Sequence, residues 1–361
     1  MAQWLDQINI SEDKLIDKRI KTAGYFTGDV GTLNSSSFTT SSLSAGNKEY
    51  YYNLQYSSAD QLGVTYGHLD GSGSSDDTGF GQTKAVYWQM ANMLLDVDEN
   101  DIGFCFTSSA NHTFANRVKD AYFIVAERAR MKDRINRKYW TIGLSGSSES
   151  AGGDGATGSA VFHFTDNSAV EAGEKTSAGV RYNIVSGSQG VPYSADTNIY
   201  GHFYPDMGIW AFNGTKLSSS MPGDRTWKEN TDPLAPGSAP FTDSGSGFAP
   251  DTTADADNAG KLARAIMEGG YVTCRSEEDF LQVNYLCRIK AGDFNFTNNP
   301  SFTSGSTNDW TVSSFKGDPH TVISTIGLFD GQRKLVAVGR FSTPIVKNRY
   351  TEVIAKVRLT Y

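Results

Sequence analysis

Apolar positions along this chain recur with two periods, and they predict a few short helices set among many short strands. In SEDKLIDKRI, residues 11–20, Leu15, Ile16 and Ile20 share one stripe, Ser11 is placed to cap, and Glu12 and Asp13 suit a first turn. That pattern predicts a short amphipathic helix. In TKAVYWQMANMLLD, residues 83–96, Thr83 is the expected cap, and Val86, Met90, Met93 and Leu94 recur at three- and four-residue spacing. A further helix is expected over NAGKLARAIMEGG, 258–270, with Leu262, Ala265 and Ile266 on one face and Gly269-Gly270 as its stop.

Strands are expected at EYYYNLQYSS (49–58), in the apolar run of AYFIVAERAR (121–130) and at WTIGLSG (140–146). Between 160 and 213 they recur as AVFHF, VRYNIVSG and YGHFYPDMGIWAFNG. In FLQVNYLCRIKAG, Leu281, Val283, Tyr285, Cys287 and Ile289 alternate with Gln282, Asn284, Arg288 and Lys290. TVISTIGLFD, KLVAVGRFS and EVIAKVRLTY continue the pattern, the last placing Val353, Ala355, Val357, Leu359 and Tyr361 on one face. Asp330-Gly331 in FDGQRK predicts a hairpin turn. No repeat of solenoid length is present.

The expected fold class is therefore α+β and strand-dominated, with a C-terminal antiparallel sheet, a few short helices and a long Gly/Ser-rich arm. Four regions follow: an N-terminal helix and loop segment (1–48), a mixed α/β domain (49–213), an extended arm or insertion (214–257), and a C-terminal helix with antiparallel strands (258–361). The arm is assigned because Ser, Gly, Pro, Asp and Thr dominate it without any period.

Composition narrows the function classes. The net charge of −8 disfavours a sequence-independent nucleic-acid binder, which needs clustered cations facing phosphates. The densest basic stretch, Arg128, Arg130, Lys132, Arg134, Arg137 and Lys138, reads as a solvated strand edge and turn balanced by Glu127 and Asp133. Three cysteines, Cys105, Cys274 and Cys287, form no C-x-x-C pair, which points to folding in a reducing cytoplasm. The first ten residues lack a secretion-signal pattern, and no window has 18 consecutive apolar residues, so no membrane insertion is expected.

Motifs for chemistry are sparse. His68, His112, His163, His202 and His320 are scattered, without H-x-x-x-H or H-E-x-x-H spacing. No G-x-S-x-G elbow or phosphate loop occurs, and the GSGSS run at 71–75 leads into Asp76-Asp77, which would repel phosphate. Two acidic runs approach a calcium loop. DVDENDIG (96–103) has Asp96, Asp98 and Asn100, but Asp101 stands where the loop needs Gly and Thr107 where it needs Glu. DADNAG (255–260) has Asp255 and Asp257, but Ala259 and Ile266 occupy ligand positions, and Asp257 or Asn258 suits a helix cap. No catalytic residue, metal ligand or cofactor is expected.

Several segments in order resemble virion structural proteins of large contractile-tailed phages, especially cyanophage-type myoviruses. They are VRYNIVSGS (180–188), NIYGHFYPDMGIWAFN (198–213), RSEEDFLQVNYLCRIKAGDFNFTNNPSF (275–302) and ISTIGLFDGQRKLVAVGRFSTPIVKN (323–348). TKAVYWQMANMLLD and AYFIVAERARMKD fit the same family's N-terminal half, so the resemblance runs from about residue 50 to the end, outside 214–257. It implies a tail or baseplate component built into the particle by protein–protein contacts, with other tail proteins and copies of itself as partners. It implies no catalytic residue and no cofactor.

Assembly interfaces centre on aromatic anchors with few charges. Tyr200, Phe203, Tyr204 and Trp210, with Phe212 beside them, crowd one segment, and Phe294, Phe296 and Phe302 flank the Asn-Asn-Pro turn. These are the candidate interface residues; the competing assignment is that they fill the chain's own core. Within FNFTNNPSF the surrounding Asn, Thr, Ser and Pro mark a loop, which favours the interface. Other roles compatible with the sequence are a fibre-attachment or receptor-binding protein, where Tyr and Trp would stack on host glycan, a neck or collar protein, and a tail-borne glycan hydrolase.

Overall fold

The computed structural model describes residues 7–40, 51–71, 80–149, 157–194, 197–220, 258–267, 269–295 and 300–361, the last apart from 305, 308, 312–314 and 318. It divides into two compact units: a central one, Lys21–Glu278, and a terminal one, Met1–Ile20 with Asp279–Tyr361. These boundaries differ from the four regions read in the sequence. The 258–270 helix belongs to the central unit, because it is buried against that unit's strands, and 221–257 lies outside the described residues. Strands dominate both units, and pairing is antiparallel throughout the named ladders.

The central unit contains β2 (Thr32–Asn34), β3 (Thr39–Thr40), β4 (Tyr51–Tyr56), β5 (Ala59–His68), β6 (Asp120–Ala126), β7 (Arg134–Ile135), β8 (Thr141–Glu149) and β9 (Thr157–Asp166). It continues with β10 (Glu174–Thr176), β11 (Gly179–Ser188), β12 (Val191–Pro192), β13 (Gly201–Tyr204), β14 (Ile209–Asn213) and β15 (Tyr271–Thr273). Its helices are α1 (Phe80–Leu94), α2 (Val97–Asn100), α3 (Arg128–Met131), α4 (Gly214–Ser220) and α5 (Asn258–Met267). One sheet runs β2-β15-β8-β9-β11-β13-β14-β6-β5-β4-β3, with β10 and β12 added at β11.

The outermost strands of that sheet, β2 and β3, are joined by Ser35–Phe38 alone. So short a link spans at most about 17 Å, which brings the two ends of the sheet close together and leaves few open edges. The sheet curls around α5, which packs against β4 and β5 on one side and β8 and β15 on the other. Every residue from Asn258 to Ile266 is accordingly buried. Gly269 ends the helix with φ +97°, a left-handed conformation that suits glycine.

Apolar runs in β6 and β14 are buried on both faces. Tyr122, Ile124, Trp210 and Phe212 point into the interior with α5, whereas Ala121, Phe123, Ile209 and Ala211 pack outward under α1 with Tyr87, Ala91 and Leu94. Two-sided cover explains why AYFIVA and IWAFN read as unbroken apolar runs. The expected strand over 121–130 stops at Ala126, where the chain turns into α3. The 83–96 helix is present but starts at Phe80, so Thr83 lies inside it and is buried; its core stripe is Tyr87, Ala91 and Leu94, leaving Met93 exposed.

Strands β1 (Lys14–Gly24) and β16 (Arg275–Ile289) each cross the boundary between the units. The helix expected over 11–20 is thus replaced by strand β1. Its supposed core stripe, Leu15, Ile16 and Ile20, is exposed, and pairing with β16 supplies the backbone bonds that a short helix would have to make alone. In the terminal unit, β16 also pairs with β19 (Val353–Thr360), from Gln282↔Thr360 to Ile289↔Val353. Arg288 reaches Asp13 at 2.7 Å and Lys18 reaches Asp279 at 2.8 Å. The unit's other sheet is a two-stranded ribbon of β17 (His320–Phe329) and β18 (Leu335–Asn348).

Candidate interaction surface

The seven candidate interface aromatics separate into distinct environments. Tyr200, Phe203, Tyr204 and Trp210 are buried in the central unit, where Phe203 stacks on Trp210 and both rings meet Trp140. Core packing therefore occupies these four, which corrects the interface expectation for them: Tyr200, Phe203 and Trp210 lie in the core around α5, and Tyr204 in the core under α1. Phe296 lies outside the described residues. Phe294 is 47% exposed, and Phe302 is half-buried in a cluster with Trp310 and Phe315. Trp310, 40% exposed, stacks on Phe315 with an interplanar angle of 28°.

Phe294 owes its display to a lysine far along the chain. Lys347 of β18 is buried, and its Nζ donates to the Ala291 carbonyl at 3.1 Å, to Asn295 Oδ1 at 2.9 Å and to the Asp293 carbonyl. Asp293 Oδ2 accepts from the Lys290 N–H, and Asn295 Nδ2 donates to the Ala291 carbonyl. These bonds close the 290–295 loop tightly enough to hold Phe294 at φ +54°, a strained value for a bulky residue.

The β17–β18 ribbon is the second feature. Its register pairs Val322 with Val346, Ile323 with Ile345 and Leu328 with Ala337. The hairpin turn expected at Asp330-Gly331 is present and joins the two strands. It runs to Lys334, with Arg333 rather than Gly331 in the left-handed region. Asp330 Oδ1 accepts from the N–H groups of Gln332 and Lys334 at 2.9 and 2.7 Å, and that local bonding fixes the turn. Along the ribbon Val322, Val338 and Val346 remain 57%, 61% and 60% exposed. Among the described residues neither strand pairs with a third, so outward backbone N–H and C=O groups line both edges.

A buried polar cluster in the central unit was not visible in the sequence. Arg181 of β11 places its two terminal nitrogens on Glu99 of α2 at 2.6 and 2.8 Å, and its Nε on Glu174 at 2.9 Å. His112 sets Nε2 at 2.7 Å from the Gly103 carbonyl and Nδ1 at 3.5 Å from Glu99. His202 is fully enclosed against Phe106 and Tyr204, and burial holds its pKa well below the usual histidine value. Burial likewise raises the Cys105 thiol. Arg181, Glu99 and Glu174 are spent on one another, so the cluster works as a brace between α2 and β11.

The remaining sequence candidates also find internal partners. His68 Nδ1 accepts from the Asp70 and Gly71 N–H groups, and His163 Nδ1 lies 3.0 Å from the Tyr271 hydroxyl. In the basic stretch, Arg130 bonds the Asp60 carbonyl, Arg134 pairs with Glu277, and Arg137 bonds the Tyr182 hydroxyl. In the first calcium-like run, Asp96 accepts from the Ser177 N–H at 2.6 Å while Glu99 holds Arg181. The acidic part of the second run, 255–257, lies outside the described residues. Among the described residues no group of three His, Cys, Asp or Glu is placed to hold a metal, and no helix is long and apolar enough to cross a membrane.

No protein-family model matches the chain, and no curated protein or solved structure matches it.

Proposed function

We propose that this chain is a structural subunit of a contractile phage tail, seated in the baseplate and held there by protein–protein contacts without catalytic turnover. The ordered segments between residues 180 and 361 that resemble tail proteins support the tail, and the β17–β18 ribbon carries the mode of action. A two-stranded sheet is marginal by itself in water. One that leaves Val322, Val338 and Val346 in solvent beside two open edges is a surface built to be covered. The Lys347-braced loop adds Phe294 as an aromatic anchor in the same unit.

The test is incorporation. A tagged chain carrying Val322→Ser, Val338→Ser and Val346→Ser should fold and melt as the parent does, because these side chains contact mostly solvent. It should be missing from purified particles. Recovery equal to the parent would count against the reading.

The exposed Trp310 on Phe315 favours one alternative, a receptor-binding tail protein that stacks a host sugar on that ring. Glycan-array binding lost in Trp310→Ala would move the reading there.

A further inference from the structure

Edges of the terminal unit differ in how they are guarded. An open sheet edge templates pairing with any strand that reaches it, and chains protect such edges with charges, prolines and bulges. In the sheet ordered β1-β16-β19 the outer strands are charged: β1 carries Lys14, Asp17, Lys18 and Arg19, and β19 carries Lys356 and Arg358. In the ribbon, β18 carries Arg340, Lys347 and Pro344. Both irregularities of the ribbon also put their extra residues on β18: 341–344 stand opposite Ser324 alone, and Val336 is inserted between Leu335 and Ala337. β17 has none of these devices. Its sequence, HTVISTIGLF, holds no carboxylate, lysine, arginine or proline, and it runs from His320 to Phe329 without an inserted residue. Among the described residues it is the one long edge strand of this unit left unguarded.

We infer that β17 is an assembly edge, and that its occupant is β17 of a second copy, paired antiparallel about a two-fold axis into one four-stranded sheet. This inference rests on the structural-subunit reading and names its partner. Charge argues the occupant. The ribbon's four cations, Arg333, Lys334, Arg340 and Lys347, all lie on the turn or on β18, against one acid, Asp330. Side by side, two uncharged β17 strands meet without repulsion. Pairing them leaves the β18 strands three spacings apart, about 14 Å, beyond the screening length of about 8 Å at physiological salt. Antiparallel pairing also sends the two Arg333-Lys334 turns to opposite ends. Joining through β18 would instead bring Arg340 of both copies into the seam, which costs affinity. A strand that fits the β17 edge is β-prone, uncharged and free of proline, and β17 itself meets each requirement. Four strands relieve the weakness of the two-stranded sheet. The contact is isologous, so it closes at a dimer.

The experiment is sedimentation velocity of the purified full chain across concentration, with amide hydrogen exchange on concentrated and dilute samples. Expected are a monomer–dimer equilibrium that added salt does not weaken, and protection gained in 320–329 on concentration while 335–348 stays unchanged. Val322 and Ser324 are exposed, so charge there leaves the fold intact. The Val322→Lys, Ser324→Lys variant and the Val322→Glu, Ser324→Glu variant should each melt as the dilute parent does and associate about tenfold or more weakly. Mixed in equal amounts, the two should restore the dimer. A chain that is monomeric at every concentration overturns the inference, including one whose β17 is protected only in purified particles by a strand of a different tail protein. So do species that grow beyond a dimer, protection gained at 335–348 instead, or a mixture that stays monomeric. A monomeric chain still recovered in particles overturns this inference alone. A dimer absent from particles overturns the tail reading alone.

Discussion

Glu99 and Arg181, 82 positions apart in the chain, meet inside the central unit with both carboxylate oxygens on the guanidinium, at 2.6 and 2.8 Å. The pair ties the short helix α2 to β11, and neither partner reaches bulk water. Removing one partner strands the other charge in the interior. Arg181→Met should therefore cost about 3–5 kcal/mol in urea unfolding, and the double variant Glu99→Met, Arg181→Met should recover much of that loss. A single variant within 1 kcal/mol of the parent (roughly) would show that the pair is solvated.

His202 gives the stability a pH dependence. Burial first, then the charges of Arg181 and His112, lower its folded pKa well below the ordinary value. The unfolded chain takes up a proton near pH 6.5 that the folded chain refuses, so this group leaves stability unchanged above that pH and erodes it below. The erosion should approach about 1.4 kcal/mol per pH unit. His68 is shifted in the same direction, so the comparison is between the parent and His202→Leu over pH 7.5 to 5.5. The variant should show the shallower fall; equal slopes would mean that His202 titrates freely in the fold.

Lys347 should control the order of the Phe294 loop. Lys347→Met leaves the carbonyls of Ala291 and Asp293 without their cationic donor and should cost about 1–3 kcal/mol. Hydrogen exchange should rise at 290–295 while α5 stays protected. Unchanged exchange in that loop would mean that its own bonds, Asn295 to Ala291 and Lys290 to Asp293, suffice.

Gly201 marks the tightest strand pairing. A Cβ there would lie 2.0 Å from the Ala211 carbonyl oxygen of the neighbouring strand, and Gly201 is registered opposite Phe212, so the backbone has no room to yield. Gly201→Ala should lower stability by about 1–3 kcal/mol or more. At Gly292, where a Cβ meets nothing within 4 Å, the same change should be close to neutral. Thermal melts of the two variants make the comparison.

What the sequence disclosed follows the physics of each segment. AYFIVA and IWAFN were legible because both faces of β6 and β14 are covered, which writes a continuous apolar run. Helix α5 was legible from its stripe and its terminal glycines. Residues 11–20 misled because Leu15, Ile16 and Ile20 fit a helical stripe, and a stripe signals a helix only when something buries it; here all three face solvent. The aromatic cluster at 200–212 could not be divided between core and interface, since aromatic rings serve both and only burial separates them. The Lys347 brace and the Glu99–Arg181 pair join residues more than fifty positions apart, a relation that no local pattern records.

The central claim is that this chain is an assembled part of a contractile tail. Cross-linking mass spectrometry on purified tailed particles whose genome encodes the chain tests it most directly. The account predicts the chain in the tail fraction, with cross-links from Lys334 in the β17–β18 ribbon to a neighbouring subunit. Particles that lack the chain, or that hold it with the ribbon free of any neighbour, would contradict it.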